Sequence, residues 1–169
     1  MPFADFIKAT VVLCAGAATT LAAVAVLAAA AEHDPGALTI PFFWWALAAI
    51  VGLVLGGRGA ASAGIARMLG DARAVTSVPE PRAGLILVER LWPLLVSTLI
   101  AGILGIVTPA IPGIAVGFAI VSALAWRLQY GAVLAVEGRD GVRFFVERTR
   151  FWRPITLIRT PGFRVFRPS

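Results

Sequence analysis

LWPLLVSTLIAGILGIVTPAIPGIAVGFAIVSALAW, residues 91–126, contains no charged side chain in 36 residues. As one straight helix it would run ~54 Å at 1.5 Å per residue. A bilayer's hydrocarbon core is ~30 Å thick and takes ~20 apolar residues to cross. The stretch is therefore too long for one crossing and suits two. Thr108-Pro109-Ala110-Ile111-Pro112-Gly113 marks the turn, because Pro lacks an N–H and disfavours helix in the residue before it. Each arm is then roughly 16–18 residues, or ~25 Å. A full hairpin and a shallower re-entrant one both fit that length, and in either case the two ends emerge on one side.

The rest of the chain has the same character. Residues 9–31 and 35–57 are two more uncharged runs, of 23 residues each. Only 14% of the 169 residues are charged and 59% are hydrophobic, whereas a soluble domain carries about 25% charged residues. The expected fold is an all-α integral membrane protein, a bundle of four transmembrane helices over about 7–31, 39–57, 86–108 and 112–134. Residues 1–134 form its membrane domain, interrupted by a loop at 58–85, and residues 135–169 form a basic tail. The first run also has the outline of a signal peptide, with Lys8 before it and Ala28-Ala29-Ala30-Ala31 after it. Its length argues for a retained helix, since signal cores run about 7–15 residues.

Charge fixes the expected orientation. Basic residues gather in cytoplasmic loops. Five Arg lie in 58–90, nine lie from Arg127 onward, and none lies in 32–40 or 108–113. Both termini are thus expected in the cytoplasm. One Lys against fourteen Arg suits a GC-rich genome, and the expected location is a bacterial inner membrane. Trp44 and Trp45 then fall at the outer interface, and Trp92, Trp126 and Tyr130 at the inner one, where aromatic anchors concentrate.

The polar segments suggest local structure. Ile65, Met68, Leu69, Ala72 and Val75 recur at helical spacing, with Arg67 and Asp71 on the other side. Two readings suit this segment: an amphipathic helix on the membrane surface, or a linker helix packed on the C-terminal segment. Gly138-Arg139-Asp140-Gly141 is a turn signal. After it Val142, Phe144 and Val146 alternate with Arg143, Phe145 and Glu147, and Ile155 to Ile158 is a second β-like run. A β-hairpin fits there, although a lone hairpin is marginal in water and needs a surface to pack on.

The helix interiors contain nothing that ionises. Ionisable groups inside a membrane cost ~2.5–3.5 kcal/mol each and are usually functional. Their absence argues against proton- or cation-coupled transport. The small multidrug-resistance transporters, also four short helices, depend on a carboxylate in the first helix. Here that helix offers Thr10, Cys14, Thr19 and Thr20, so the comparison fails at the residue that would carry it. A serine hydrolase needs a base beside its nucleophile, and the single His33 lies in the outer loop. Glu32, His33 and Asp34 are adjacent, and three neighbours do not easily converge on one tetrahedral ion. The lone Cys14 makes no intrachain disulfide. No Walker-type phosphate loop is present. No catalytic residue, metal or cofactor is expected.

Small residues at four-residue spacing let helix backbones approach closely. Ala48, Gly52, Gly56 and Ala60 line up in the second helix, Ser97, Ala101 and Gly105 in the third, and Gly113 and Gly117 in the fourth. They suit a tight bundle or a seam between copies. In the tail Arg148, Arg150 and Arg153 surround Phe151 and Trp152. Tethered to a membrane, such a cluster suits anionic lipid headgroups better than nucleic acid. The expected function is a small non-enzymatic accessory, scaffolding or regulatory subunit with an unknown membrane partner. An oligomeric channel for an uncharged solute is the alternative, lined by Thr19, Thr20, Ser97, Thr98 and Ser122. An enzyme using Glu89, Glu137, Asp140 and Glu147 is the third reading.

Overall fold

The computed structural model describes residues 1–33, 35–57, 66–74, 83–147 and 155–161. Four long helices dominate: α1 (Phe3–Ala31), α2 (Thr39–Gly57), α3 (Ala83–Leu104) and α4 (Ala110–Asp140). All four are long and apolar enough to cross a membrane. A 3₁₀ turn at Pro35–Leu38 joins α1 to α2. Three short strands, β1 (Arg73–Ala74), β2 (Val142–Val146) and β3 (Leu157–Pro161), make one sheet in the order β1-β3-β2.

α4 is the hub. Its main partners are α1 on one side and α2 on the other, while α3 makes lesser contacts with α1 and α4. Along α1 the face Thr10, Cys14, Ala18, Leu21, Ala25 and Ala29 is buried. Ala18 and Leu21 share a core with Ala101, Val116 and Ala119. Steps of three and four keep this stripe on one side of the helix, and its small members let α4 come close.

α3 and α4 are each long enough for a full hairpin. The 22 residues of α3 cover ~33 Å, enough for the hydrocarbon core. The turn sits slightly earlier than the prolines suggested. It occupies residues 105–109, and Pro112 falls inside the first turn of α4, where a missing N–H is not needed for an intrahelical bond. Pro93 lies inside α3 and withholds a backbone donor from the carbonyl of Glu89.

Several expected boundaries move. The division at residue 134 falls within α4, which runs on to Asp140. The helix passes straight through Gly138 and stops at Gly141, whose left-handed φ of 59° suits a residue without Cβ. α1 begins at Phe3 rather than near residue 7, and α3 at Ala83 rather than near 86. The structure is mostly helical with a small sheet: of the segment expected to be a helix, the described residues are helical at 66–70, then turn into β1, which pairs in parallel with β3. β2 and β3 pair antiparallel, Val142 against Pro161 through Val146 against Leu157.

A second core lies at the sheet end of the bundle. Phe3, Phe6 and Ile7 of α1 meet Leu69, Ile86, Val133, Val142, Phe144, Val146 and Leu157. Leu69 thus packs on the C-terminal segment, as the linker reading expected. The strand β2 buries Val142, Phe144 and Val146 and leaves Arg143 exposed, the period-two alternation of a sheet with one covered face. The hairpin therefore has the partner surface it needed. Met1 continues the arrangement: its carbonyl accepts from the Val146 N–H at 2.9 Å, and Pro2 bridges to Phe145. Burial holds the Met1 amine below its ordinary pKa.

Candidate functional site

The two flanks of α4 differ, and the residues singled out in the sequence fall on both. On the α2 flank, glycines bring the helices together. A Cβ at Gly52 would lie 3.0 Å from the Leu124 Cβ, and one at Gly56 would lie 2.7 Å from a Leu128 methyl. Ala48 is fully buried on the same line. These three residues face α4 of their own chain. Ala60, the fourth member, lies outside the described residues.

At the far end from the sheet, Gly113 and Gly117 form a notch in α4. Pro41 fills it at Gly113, with a ring carbon 2.9 Å from where a Cβ would be. The Trp44 indole occupies the space a Cβ at Gly117 would need. Two indole N–H groups then reach α4 backbone. Trp44 donates to the Ile114 carbonyl at 2.9 Å and Trp45 to the Gly113 carbonyl at 2.7 Å. Phe118 and Phe42 pack edge-on against Trp44 and Trp45, at 5.5 Å and 4.9 Å between ring centroids. The sequence marked both tryptophans as interface anchors; their donors are engaged inside the protein. Burying an indole calls for a partner for its N–H, and the fourth and fifth residues of α4 supply carbonyls for both.

The α3 flank is open. Between α1 and α3 runs an apolar groove of about 530 Å³, with Leu13, Leu21 and Val24 on one wall and Leu94, Leu99 and Ile103 on the other. A smaller cavity of about 210 Å³ lies between α3 and α4, lined by Ser97, Thr98, Phe118 and Ser122 among others. Ala101 is buried beside Ala18 and Leu21. A Cβ at Gly105 would meet a Val24 methyl at 2.7 Å, so α3 comes close to α1 near its end, as Ile86 near its start joins the α1 residues of the sheet-end core. Ser97 is exposed.

The hydroxyls proposed to line a channel share one habit. Thr19 and Thr20 donate to the carbonyls of Ala15 and Gly16, Ser97 and Thr98 to that of Leu94, and Ser122 to that of Phe118. Each satisfies its proton on its own helix. Thr20 and Thr98 still line the groove, and Ser97, Thr98 and Ser122 the smaller cavity. Thr19 lines neither.

The acids at the sheet end have structural partners. Glu137 accepts the Phe144 N–H at 3.1 Å, tying the end of α4 to β2. Asp140 pairs with Arg139 at 2.8 Å on an exposed surface. Glu89 lies on α3 and Glu147 just beyond β2. Among the described residues, no three His, Cys, Asp or Glu side chains gather as a metal set. His33 adopts a positive φ of 55°, and its Nδ1 lies 3.1 Å from the Ala31 carbonyl. Of the aromatics expected at the inner interface, Trp126 and Tyr130 pack partly on the sheet-end core, and Lys8 sits 5.3 Å above the Tyr130 ring. Trp92 is 39% exposed on α3. The lipid-surface cluster Arg148, Arg150, Phe151, Trp152 and Arg153 lies outside the described residues.

Two features escaped the sequence reading. The α1 stripe was hidden because Ala is common in that helix at every phase. The indole-to-carbonyl bonds join residues about 70 positions apart, and only the placement of Trp-Trp and of the two glycines hinted at them. No family model matches the chain, and neither a curated protein nor a solved structure matches it.

Proposed function

We propose that this chain is a small, non-enzymatic integral membrane protein that acts as an accessory, scaffolding or regulatory subunit. It crosses the membrane four times, with both ends on the cytoplasmic side of a bacterial inner membrane. The observation that carries the reading is the sheet-end module. It joins the first residues, the 66–74 segment and the C-terminal strands into one core at the sheet end of α1 and α4, and these elements carry Arg67, Arg73, Arg143 and Arg159. α1 is a load-sharing member of both cores, which favours its retention over its removal as a signal. The Arg-rich face then rests against anionic headgroups, at ~1 kcal/mol per basic residue, and presents a folded surface to a partner.

The test is purification in mild detergent from native membranes, after flotation with vesicles to establish insertion. A stoichiometric protein partner, recovered again when the partner is the bait, is the expected result. A lone monodisperse chain contradicts it. The second reading, a pathway for an uncharged solute, draws on one observation: four of the five candidate hydroxyls line the clefts beside α3. Such a pathway would run along α3. Solute-driven swelling of vesicles containing the purified protein decides it, and no swelling above that of empty vesicles ends it.

A further inference from the structure

α3 meets the rest of the bundle along a single line. Leu91, Leu94, Thr98, Ala101 and, at the turn, Gly105 follow one another in steps of three and four, which keeps them on one side of the helix. Leu91, Ala101 and Gly105 are buried, while Leu94 and Thr98 are half-buried. Between Leu91 and Ala101 no residue is buried. The line seats on the junction of α1 and α4, where Ala101 shares a core with Ala18, Leu21, Val116 and Ala119. A core-facing helix presents a stripe at least about 100° wide, and a strict three-four seam is narrower.

A cleft lies on each side of that line. The groove toward α1 and the cavity toward α4 share Leu21, Leu94 and Thr98, so the seam of α3 is the wall between them. A helix held on one line, with space on both sides, is free to roll about it, and what closes one cleft opens the other. The backbone is also soft where the line begins. Pro93 gives the helix ladder no N–H. Just after it, the hydroxyls of Ser97 and Thr98 both donate to the Leu94 carbonyl, at 3.0 and 2.7 Å. Back-bonding of this kind often bends helices, and proline is a usual site of kinks. Earlier in α3, Ile86 is fixed in the sheet-end core. Inside a bilayer no hydrophobic force drives either cleft shut, because lipid tails are as apolar as leucine.

We infer that residues 94–104 of α3 rock about this line, closing the α1 groove as the α4 cavity opens, and the reverse. The inference rests on the membrane reading above and adds a moving part to it. α1, α2 and α4, whose mutual contacts are far more extensive, form the fixed frame. Anything that fills one cleft selects one position of α3.

The experiment reads closure of each cleft by disulfide formation, which needs two Cβ atoms within about 4.5 Å. The full chain, in a Cys14→Ser background, carries one cysteine pair at a time. Thr20→Cys with Leu99→Cys spans the groove, and Ser97→Cys with Ser122→Cys spans the cavity. The protein is floated with phospholipid vesicles and oxidised with copper phenanthroline, and the rate of cross-linking within a chain is followed. Both pairs are expected to cross-link. Filling one cleft should then speed closure of the other. Ser122→Leu fills the cavity and should raise the rate across the groove on the order of fivefold. Gly102 has open space toward a Leu21 methyl at 3.9 Å, so Gly102→Leu should fill the groove and raise the rate across the cavity to a similar extent. Ala115→Leu in the cavity and Ala17→Leu in the groove give the same readouts should the first fillers fail to fold. Pro93→Ala restores one backbone hydrogen bond and should slow both pairs about fivefold. A pair that does not cross-link in the unfilled chain overturns the rocking motion. So does a filled cleft that leaves the opposite rate unchanged or lowers it. Unchanged rates in Pro93→Ala overturn the soft point at Pro93. A chain that does not float contradicts the membrane reading itself, a different result from any of these.

Discussion

The two flanks of α4 are made from similar residues and reach opposite outcomes. Toward α2, each glycine meets a neighbour that already occupies the place of its missing side chain: Leu124 at Gly52, Leu128 at Gly56, Pro41 at Gly113 and Trp44 at Gly117. On α3, Gly105 likewise meets a Val24 methyl and the Pro112 ring, but Gly102 has open space toward α1, and one cleft separates α3 from α4 while another separates it from α1. The difference teaches that a small residue in an apolar helix is not by itself a packing signal. It becomes one where the facing helix brings a bulky group to fill the gap, as α2 does with Pro41 and Trp44.

Four substitutions probe that difference, and their effects should descend in order. Gly117→Val asks the Trp44 indole to leave its notch and both of its neighbours to repack. Overpacking costs typically 1–3 kcal/mol and occasionally more, and this position should fall at or above ~3 kcal/mol in reversible unfolding from detergent micelles. Gly56→Val meets a leucine side chain that has some freedom to move, so about 1–2 kcal/mol is expected by the same measurement. Trp44→Phe keeps the ring in the notch and loses the bond to the Ile114 carbonyl. It should cost about 1 kcal/mol, because the carbonyl retains its place in the helix ladder. Gly102→Ala, on the open flank, should be neutral or stabilising by up to ~1 kcal/mol through helix propensity. If Gly102→Ala is as damaging as Gly56→Val, the distinction between the flanks is wrong.

Much of the fold was legible because one rule governs the helices. Twenty or so residues without charge can form a crossing, and the runs 9–31, 35–57 and 91–126 could be read by length. α2 matched its expected bounds of 39–57. The errors gather at the sheet end, where the rule does not apply. Gly138 read as a stop, yet α4 runs through it, because Glu137 binds Phe144 and the sheet-end core holds Val133 in place. β1 was invisible because a two-residue strand has no period to detect; it exists only through its pairing with β3. The hairpin itself was readable from the alternation of Val142, Phe144 and Val146, but its support from Phe3, Phe6 and Ile7 joins the two ends of the chain. In the candidate site, the glycines and tryptophans were visible as residue types. Which glycine faced which bulky group depended on the register between α2 and α4, and nothing local to either segment encodes that register.

The most direct test of the account is the sidedness of the four proposed crossings. In a Cys14→Ser background, single cysteines at Glu32→Cys and Val107→Cys report on the loop end, and at Gly70→Cys and Gly138→Cys on the sheet end. Glu32 is exposed, Val107 is 74% exposed, and Gly70 and Gly138 have open space for a side chain. A membrane-impermeant maleimide applied to intact cells should label the first two positions and reach the second two only after the membrane is opened. Labelling of Gly70→Cys or Gly138→Cys in intact cells, or protection of Glu32→Cys or Val107→Cys, would contradict four crossings with a shared cytoplasmic face.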